Sequence, residues 1–221
     1  MARILYSGTR NASSWAFRAW LALREGGIEF EERVVDIRKP QRFDNLKRIG
    51  EFSPPAAVPA LVDGDTVVFD SLAIMEYAND LAGGRLLPLE PLSRARARSF
   101  LAWQHAGLSG LCPRLSFESA FYPDKRAMSV DEQAQSARAY DAFEQQLAFS
   151  GGPCLAGELS LADLAMVPTL LRLVSHTPAE RLAQWPRVAE WNRRLMARES
   201  VREWLSEANT LPPVRLDDYM A

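Results

Sequence analysis

Cysteine and histidine are nearly missing from this sequence: two of each occur in 221 residues. Two thiols, Cys112 and Cys154, cannot build a disulfide framework, and no Cys/His group has the spacing of a metal site. No cysteine precedes Cys112. That removes the reactive thiol a disulfide-exchange enzyme needs at the start of its first helix. Excess charge is lacking too. The 26 basic and 28 acidic residues leave a net charge of −2, so nothing draws the chain toward nucleic acid or an anionic membrane. Charges interrupt every apolar segment before the ~18 residues that a membrane span needs. The opening MARILYSGTRNASSW has no apolar core of roughly 7–15 residues, so no secretory signal is expected. Asn11-Ala12-Ser13 fits a glycosylation acceptor, which means nothing without export. These absences point to a reduced, cytoplasmic compartment and to a protein without a metal, nucleic-acid or membrane partner.

What is present is an ordinary globular composition, 48% hydrophobic and 24% charged. The organising stretch is residues 58–78, VPALVDGDTVVFDSLAIMEYA. Two β-prone runs, 59–62 and 66–69, flank Asp63-Gly64-Asp65, a strong hairpin signal. Asp70-Ser71 then leads into Leu72, Ile74, Met75, Tyr77 and Ala78 at helical spacing. The unpaired N–H groups of a first helical turn suit an anion. Asp70 and Ser71 either cap the helix or grip a ligand: Ser71 a carboxylate, Asp70 an ammonium group. An α-amino acid carries both.

Upstream, residues 3–7 read as a strand and 14–25 as a helix stopped by Gly26-Gly27. Residues 28–37 read as a second strand, and 41–49 as a weak, charged helix. Strand–helix–strand, helix, strand–strand–helix gives a four-stranded mixed sheet in about 80 residues, its first pair parallel and its last antiparallel. The Gly- and Pro-rich 83–91 reads as a linker. Strand signals stop there, and helices are expected over 93–111, 130–149 and 186–205, with Pro113 ending or kinking the first. Ser160 and Asp163 fit a capping box, with Leu159 and Leu164 as its staple, and their role is folding. Pro168 should kink the helix that follows. The domains are therefore 1–82, a small α/β unit, and 92–221, an all-helical one.

A second helix start carries chemistry: Asn11-Ala12-Ser13-Ser14-Trp15. A thiolate placed there meets unpaired N–H groups and the positive end of the helix dipole. Hydroxyl donation would favour the charged sulfur and lower the thiol's pKa. The alternative is again a plain cap. If both helix starts open on one edge, the shared ligand has an amino-acid group at one end and a sulfur at the other.

Five motifs together resemble the glutathione transferases, over nearly the whole chain. Residues 11–23 look like the Ser-Ser-Cys-Ser-Trp start of the zeta-like, maleylacetoacetate isomerase-type branch. Val58-Pro59-Ala60-Leu61 matches Val-Pro-x-Leu, and 70–74 matches Glu/Asp-Ser-x-Ala-Ile. Residues 156–163 match the helical-domain capping signature, and 185–191 the late Trp-Pro motif. The resemblance implies a thioredoxin-like domain followed by a helical domain, with glutathione as cosubstrate. It implies a cis Pro59 that exposes the Val58 backbone to the cysteinyl part, Asp70 and Ser71 on the γ-glutamyl end, and Asn11, Ser13 or Ser14 at the sulfur. Asn11 stands where the branch has its first serine, Ser13 where it has cysteine, and Ala57 where many relatives carry a polar residue. The implied activity is attack of the glutathione thiolate on a hydrophobic electrophile, in a detoxifying homodimer. Cis–trans isomerisation by reversible thiolate addition and a non-catalytic binding module are the alternatives. The second substrate is expected near Trp103, Leu108, Phe117 and Phe121, which otherwise are ordinary core. Cys112 and Cys154 are expected to be packed apolar residues.

Overall fold

The structure is a computed structural model that describes residues 3–108 and 115–216. Its first elements are β1 (Ile4–Gly8), α1 (Ser14–Glu25), β2 (Glu31–Val35), α2 (Arg42–Gly50), β3 (Ala60–Asp63), β4 (Thr66–Phe69) and α3 (Ser71–Leu81). The sheet order is β2-β1-β3-β4, with β1–β2 parallel and both other pairs antiparallel. This is the mixed sheet that the pattern predicts. Asp63 pairs with Thr66, leaving a two-residue loop in which Gly64 supplies a positive φ of 59°. Only residues without a Cβ adopt that value freely. The second strand is shorter than residues 28–37: β2 is a largely exposed edge whose five residues all pair with β1.

Then come α4 (Pro91–Ala102), a π-helical turn (Trp103–Leu108), a 3-10 helix (Glu118–Phe121), α5 (Val130–Ser150), α6 (Leu161–His176), α7 (Ala179–Leu182), α8 (Pro186–Met196) and α9 (Glu199–Ala208). The small mixed sheet with its helices is thus followed by a helical domain. The predicted helix over 93–111 changes winding at Trp103, where the Trp103 ring packs on Phe100 and Phe143 and Gly107 leaves it room. The end of that helix, Pro113 and Cys112 lie outside the described residues. The single helix expected over 186–205 is two helices. Arg198 has an extended backbone (ψ 142°), and its guanidinium pairs with Glu25 of α1, Nε to Oε1 at 2.8 Å. Ser200 donates to the same carboxylate at 2.5 Å.

Helix α1 lies at the centre because it is apolar nearly all round. Ala16, Phe17, Ala19, Leu21 and Leu23 are fully buried. One side meets α3, another α6 and α9, where Phe17 stacks on Trp204 at 4.6 Å. Helix α6 is as deeply buried and continues through Pro168. Its capping box forms: Asp163 Oδ2 accepts the Ser160 N–H and hydroxyl, each at 2.9 Å. The Ser160 hydroxyl thus donates to the carboxylate.

Candidate functional site between two helix starts

The loop entering α1 is a tight turn in which the Thr9 carbonyl accepts the N–H groups of Ala12 and Ser13 at 2.9 and 3.0 Å. Ser13 caps the helix through its Oγ, which accepts the Ala16 N–H at 3.2 Å, and Ser14 is the first helical residue. No acidic residue stands in the first turn, so the positive end of the helix is left for a ligand. At the other start, Asp70 Oδ1 accepts the Leu72 N–H at 2.8 Å. Asp70 has φ 73°, a left-handed value that costs a non-glycine residue about 1–3 kcal/mol. Such strain persists only where the surroundings impose it, and it gathers at ligand sites.

Both starts open on one cleft. A cavity of about 430 Å³ is bounded by Val58, Pro59, Asp70, Ser71 and His105. A larger one of about 900 Å³ is bounded by Ser13, Ser14, Arg18, Phe117 and Arg172 among others. The two share Trp15, Ala57 and Val58 as a common wall. The Val58–Pro59 bond is cis, as the resemblance implies, and so is Lys39–Pro40. Val58 precedes the first paired residue of β3, Ala60, so its backbone lies outside the ladder.

The structure therefore brings Ser13, Ser14, Val58, Pro59, Asp70 and Ser71 to one surface. It does not bring Asn11 there. Asn11 is fully buried, and its amide donates to the Pro212 carbonyl at 3.0 Å and, more weakly, to that of Leu211 at 3.5 Å. Of the four apolar residues expected to meet a second substrate, Phe117 lines the cavity. Leu108 is buried, Trp103 packs on Phe143, and Phe121 packs on Phe117.

Three further polar features are not singled out by the sequence. His105 Nε2 lies 3.5 Å from Asp70 Oδ2, and its ring packs against Trp15 at 5.3 Å; it is one of only two histidines, which was the available signal. Among the described residues, the larger cavity is lined by Arg18, Arg38, Lys39, Arg42, Arg172 and Arg215 and by one acid, Glu118, with Arg38 itself paired to Asp36 at 2.8 Å. Arg18 is 2% exposed; it donates to the Ala165 carbonyl at 2.8 Å and Thr169 Oγ1 at 3.2 Å, while its Nη1 has no hydrogen-bond partner among the described residues. Burial, and next the charge of Arg172, push its pKa well down. Burial pushes the Glu118 carboxyl up.

Comparison with known proteins bears on the fold and the family. The family models for the glutathione S-transferase N-terminal and C-terminal domains match residues 12–81 and 126–194. Maleylacetoacetate isomerase of Mus musculus is 32% identical over 203 residues, 89% of this chain and 88% of that protein. The chain belongs to the glutathione S-transferase family. Another relative within it is glutathione S-transferase theta-3 of Mus musculus, 27% identical over 213 residues, 88% of this chain and 86% of that protein. The solved structure of a glutathione S-transferase-I bound with lactoylglutathione superposes with a TM-score of 0.77 at 25% identity, covering 94% of this chain and 100% of that one.

Proposed function

We propose that the protein is a glutathione transferase whose second substrate is an electrophile carrying an anionic group. The observation that carries the reading is the single cleft joining the starts of α1 and α3. Its two parts, of about 430 and 900 Å³ with a shared wall, suit a ligand with an amino-acid head at Asp70 and Ser71 and a sulfur at Ser13 and Ser14. The Val58 backbone, free of the sheet, suits the cysteinyl amide between them. Ser14 stands on the cavity wall and Ser13 keeps its hydroxyl proton while its oxygen caps α1. Either can donate to the thiolate, which the helix dipole also favours. In the reaction the sulfur–carbon bond forms while the displaced electron pair leaves with a departing group or passes to a conjugated carbonyl.

The hydrophobic electrophile expected from the resemblance fits only part of the wall. Phe117, Val58, Leu46, Ile37 and Val214 are apolar, but six basic residues line the same cavity, and a buried guanidinium whose donor is unmet among the described residues, that of Arg18, favours a carboxylate. That charge also favours a second reading, isomerisation of an unsaturated acid by reversible thiolate addition, in keeping with the similarity to the maleylacetoacetate isomerase of Mus musculus. We further assign residues 1–82 to glutathione and 92–221 to the second substrate, with 83–91 as the linker, in a cytoplasmic homodimer serving detoxification.

Calorimetry with glutathione, followed by conjugation assays, tests the proposal. Glutathione uptake is expected, with turnover falling about 10- to 100-fold in Ser14→Ala or Ser13→Ala, the worth of one hydrogen bond to a charged group. Uptake without turnover of any acidic electrophile would make the protein a binding module. No uptake would end the assignment.

A further inference from the structure

The segment that follows α9 crosses the larger cavity, and Pro212, Val214, Arg215 and Leu216 line it. Two buried side chains hold it there. Asn11, from the loop before α1, donates to the Pro212 carbonyl at 3.0 Å. Tyr122, just after the 3-10 helix, is 2% exposed, and its hydroxyl makes two bonds at once. It donates to the Val214 carbonyl at 2.8 Å and accepts the Leu216 N–H at 2.9 Å. The residue between those two bonds is Arg215, whose guanidinium lies 5.1 Å from the Tyr122 ring. A hydroxyl that both donates to and accepts from one short extended segment fixes its register as well as its position. The strap is thus attached to both domains, and Arg215, the one charged residue among its described positions, lines the cavity between its two attachments to Tyr122, with its guanidinium 3.8 Å from the exposed carboxylate of Asp124.

We propose that Tyr122 is a specificity-determining residue for the second substrate: by clasping residues 214–216 it sets one wall of the cavity and holds Arg215 to receive an anionic group on that substrate. The inference rests on the transferase reading and deepens it. Tyr122 is not among the described residues that line either cavity, whereas the segment it clasps lines the larger one, so its effect falls on the choice of electrophile. Asn11, which the resemblance would place at the sulfur, acts in the same direction by tying the strap to the thiol-binding loop.

The test compares a carboxylic-acid electrophile with its methyl ester, using the full chain. Wild type is expected to favour the acid. Tyr122→Phe keeps the ring and removes both hydrogen bonds; the acid-to-ester ratio of kcat/KM should fall about tenfold, the scale of one charge-assisted contact, with the KM for glutathione changed by less than about twofold. Arg215→Gln, on an exposed side chain, should lower the ratio likewise, and the double variant should add little to either. An unchanged ratio in Tyr122→Phe, or equal losses for acid and ester, overturns the proposal. If wild type turns over neither probe, the transferase reading fails on its own account. The clasp is then judged by hydrogen exchange, where the Leu216 amide must lose protection in Tyr122→Phe, and unchanged protection overturns it.

Discussion

Asp163 and Trp191 are joined at the centre of the helical domain, the indole N–H donating to Asp163 Oδ1 at 3.0 Å. The same oxygen accepts the Leu155 N–H at 2.8 Å, while Oδ2 takes the backbone and hydroxyl of Ser160. One fully buried carboxylate thus ties the loop before α6, the cap of α6 and α8 into one unit. Burial pushes its pKa up, and the four donors pull it back. Removing it strands donors that no water reaches. Asp163→Ala should therefore cost at least about 3 kcal/mol, seen as a lower urea midpoint at unchanged slope. A loss below about 1 kcal/mol would show that the donors find other partners.

Glu132 gives a pH signature of opposite origin. In α5 it accepts from Arg126 at 2.8 and 2.6 Å and from the Ser129 N–H at 2.7 Å. The Arg126 hydrogen bond lowers its pKa from 4.5 to about 2, with burial opposing. Between these values the unfolded chain binds the proton and the folded chain does not, so stability is full above 4.5 and is lost as pH falls toward about 2. Glu132→Gln should be less stable at neutral pH and flatter through that window. Urea midpoints taken at about pH 7, 4 and 3 check this. Parallel curves for the two proteins would place the acid sensitivity elsewhere.

Cys154 is buried, and burial, with the charge of Asp163 next, pushes its thiol up to about 12. It should resist iodoacetamide in the native state at about pH 8, since the thiolate is the reacting form, and react once urea unfolds the chain. Peptide mass spectrometry reads the Cys154 site separately from Cys112. Rapid native labelling of Cys154 would contradict its packing.

The parts legible in the sequence are those whose cause is local. Asp-Gly between β-prone runs marks the hairpin. Ser13 and Asp70 show as caps because a short acceptor must stand just before a helix. What stayed hidden depends on contacts far along the chain. The break between α8 and α9 has neither Gly nor Pro to mark it; Arg198 turns to meet Glu25, 173 residues away in sequence. His105 reaches Asp70 from the helical domain, and Arg18 reads as one polar residue within a mostly apolar helix until α6 is packed against it. Asn11 could not be separated from Ser13 and Ser14 by sequence, because its partner is the strap at Pro212.

Asp70 permits the sharpest test of the cleft's amino-acid end. Asparagine is as good an N-cap as aspartate, so Asp70→Asn keeps the bond to the Leu72 N–H and removes only the charge. The carboxylate is about half exposed, its side chain at 47%, which limits the expected effect to roughly tenfold weaker glutathione binding. The thermal midpoint and the kcat at saturating glutathione should hold, because the lost contact is the same in ground and transition states. N-acetylglutathione, which lacks the ammonium group, supplies the control. Wild type should prefer glutathione over it, and Asp70→Asn should lose most of that preference. Calorimetry on the four pairings decides the matter, and an undiminished preference in the variant would move the ammonium group away from Asp70.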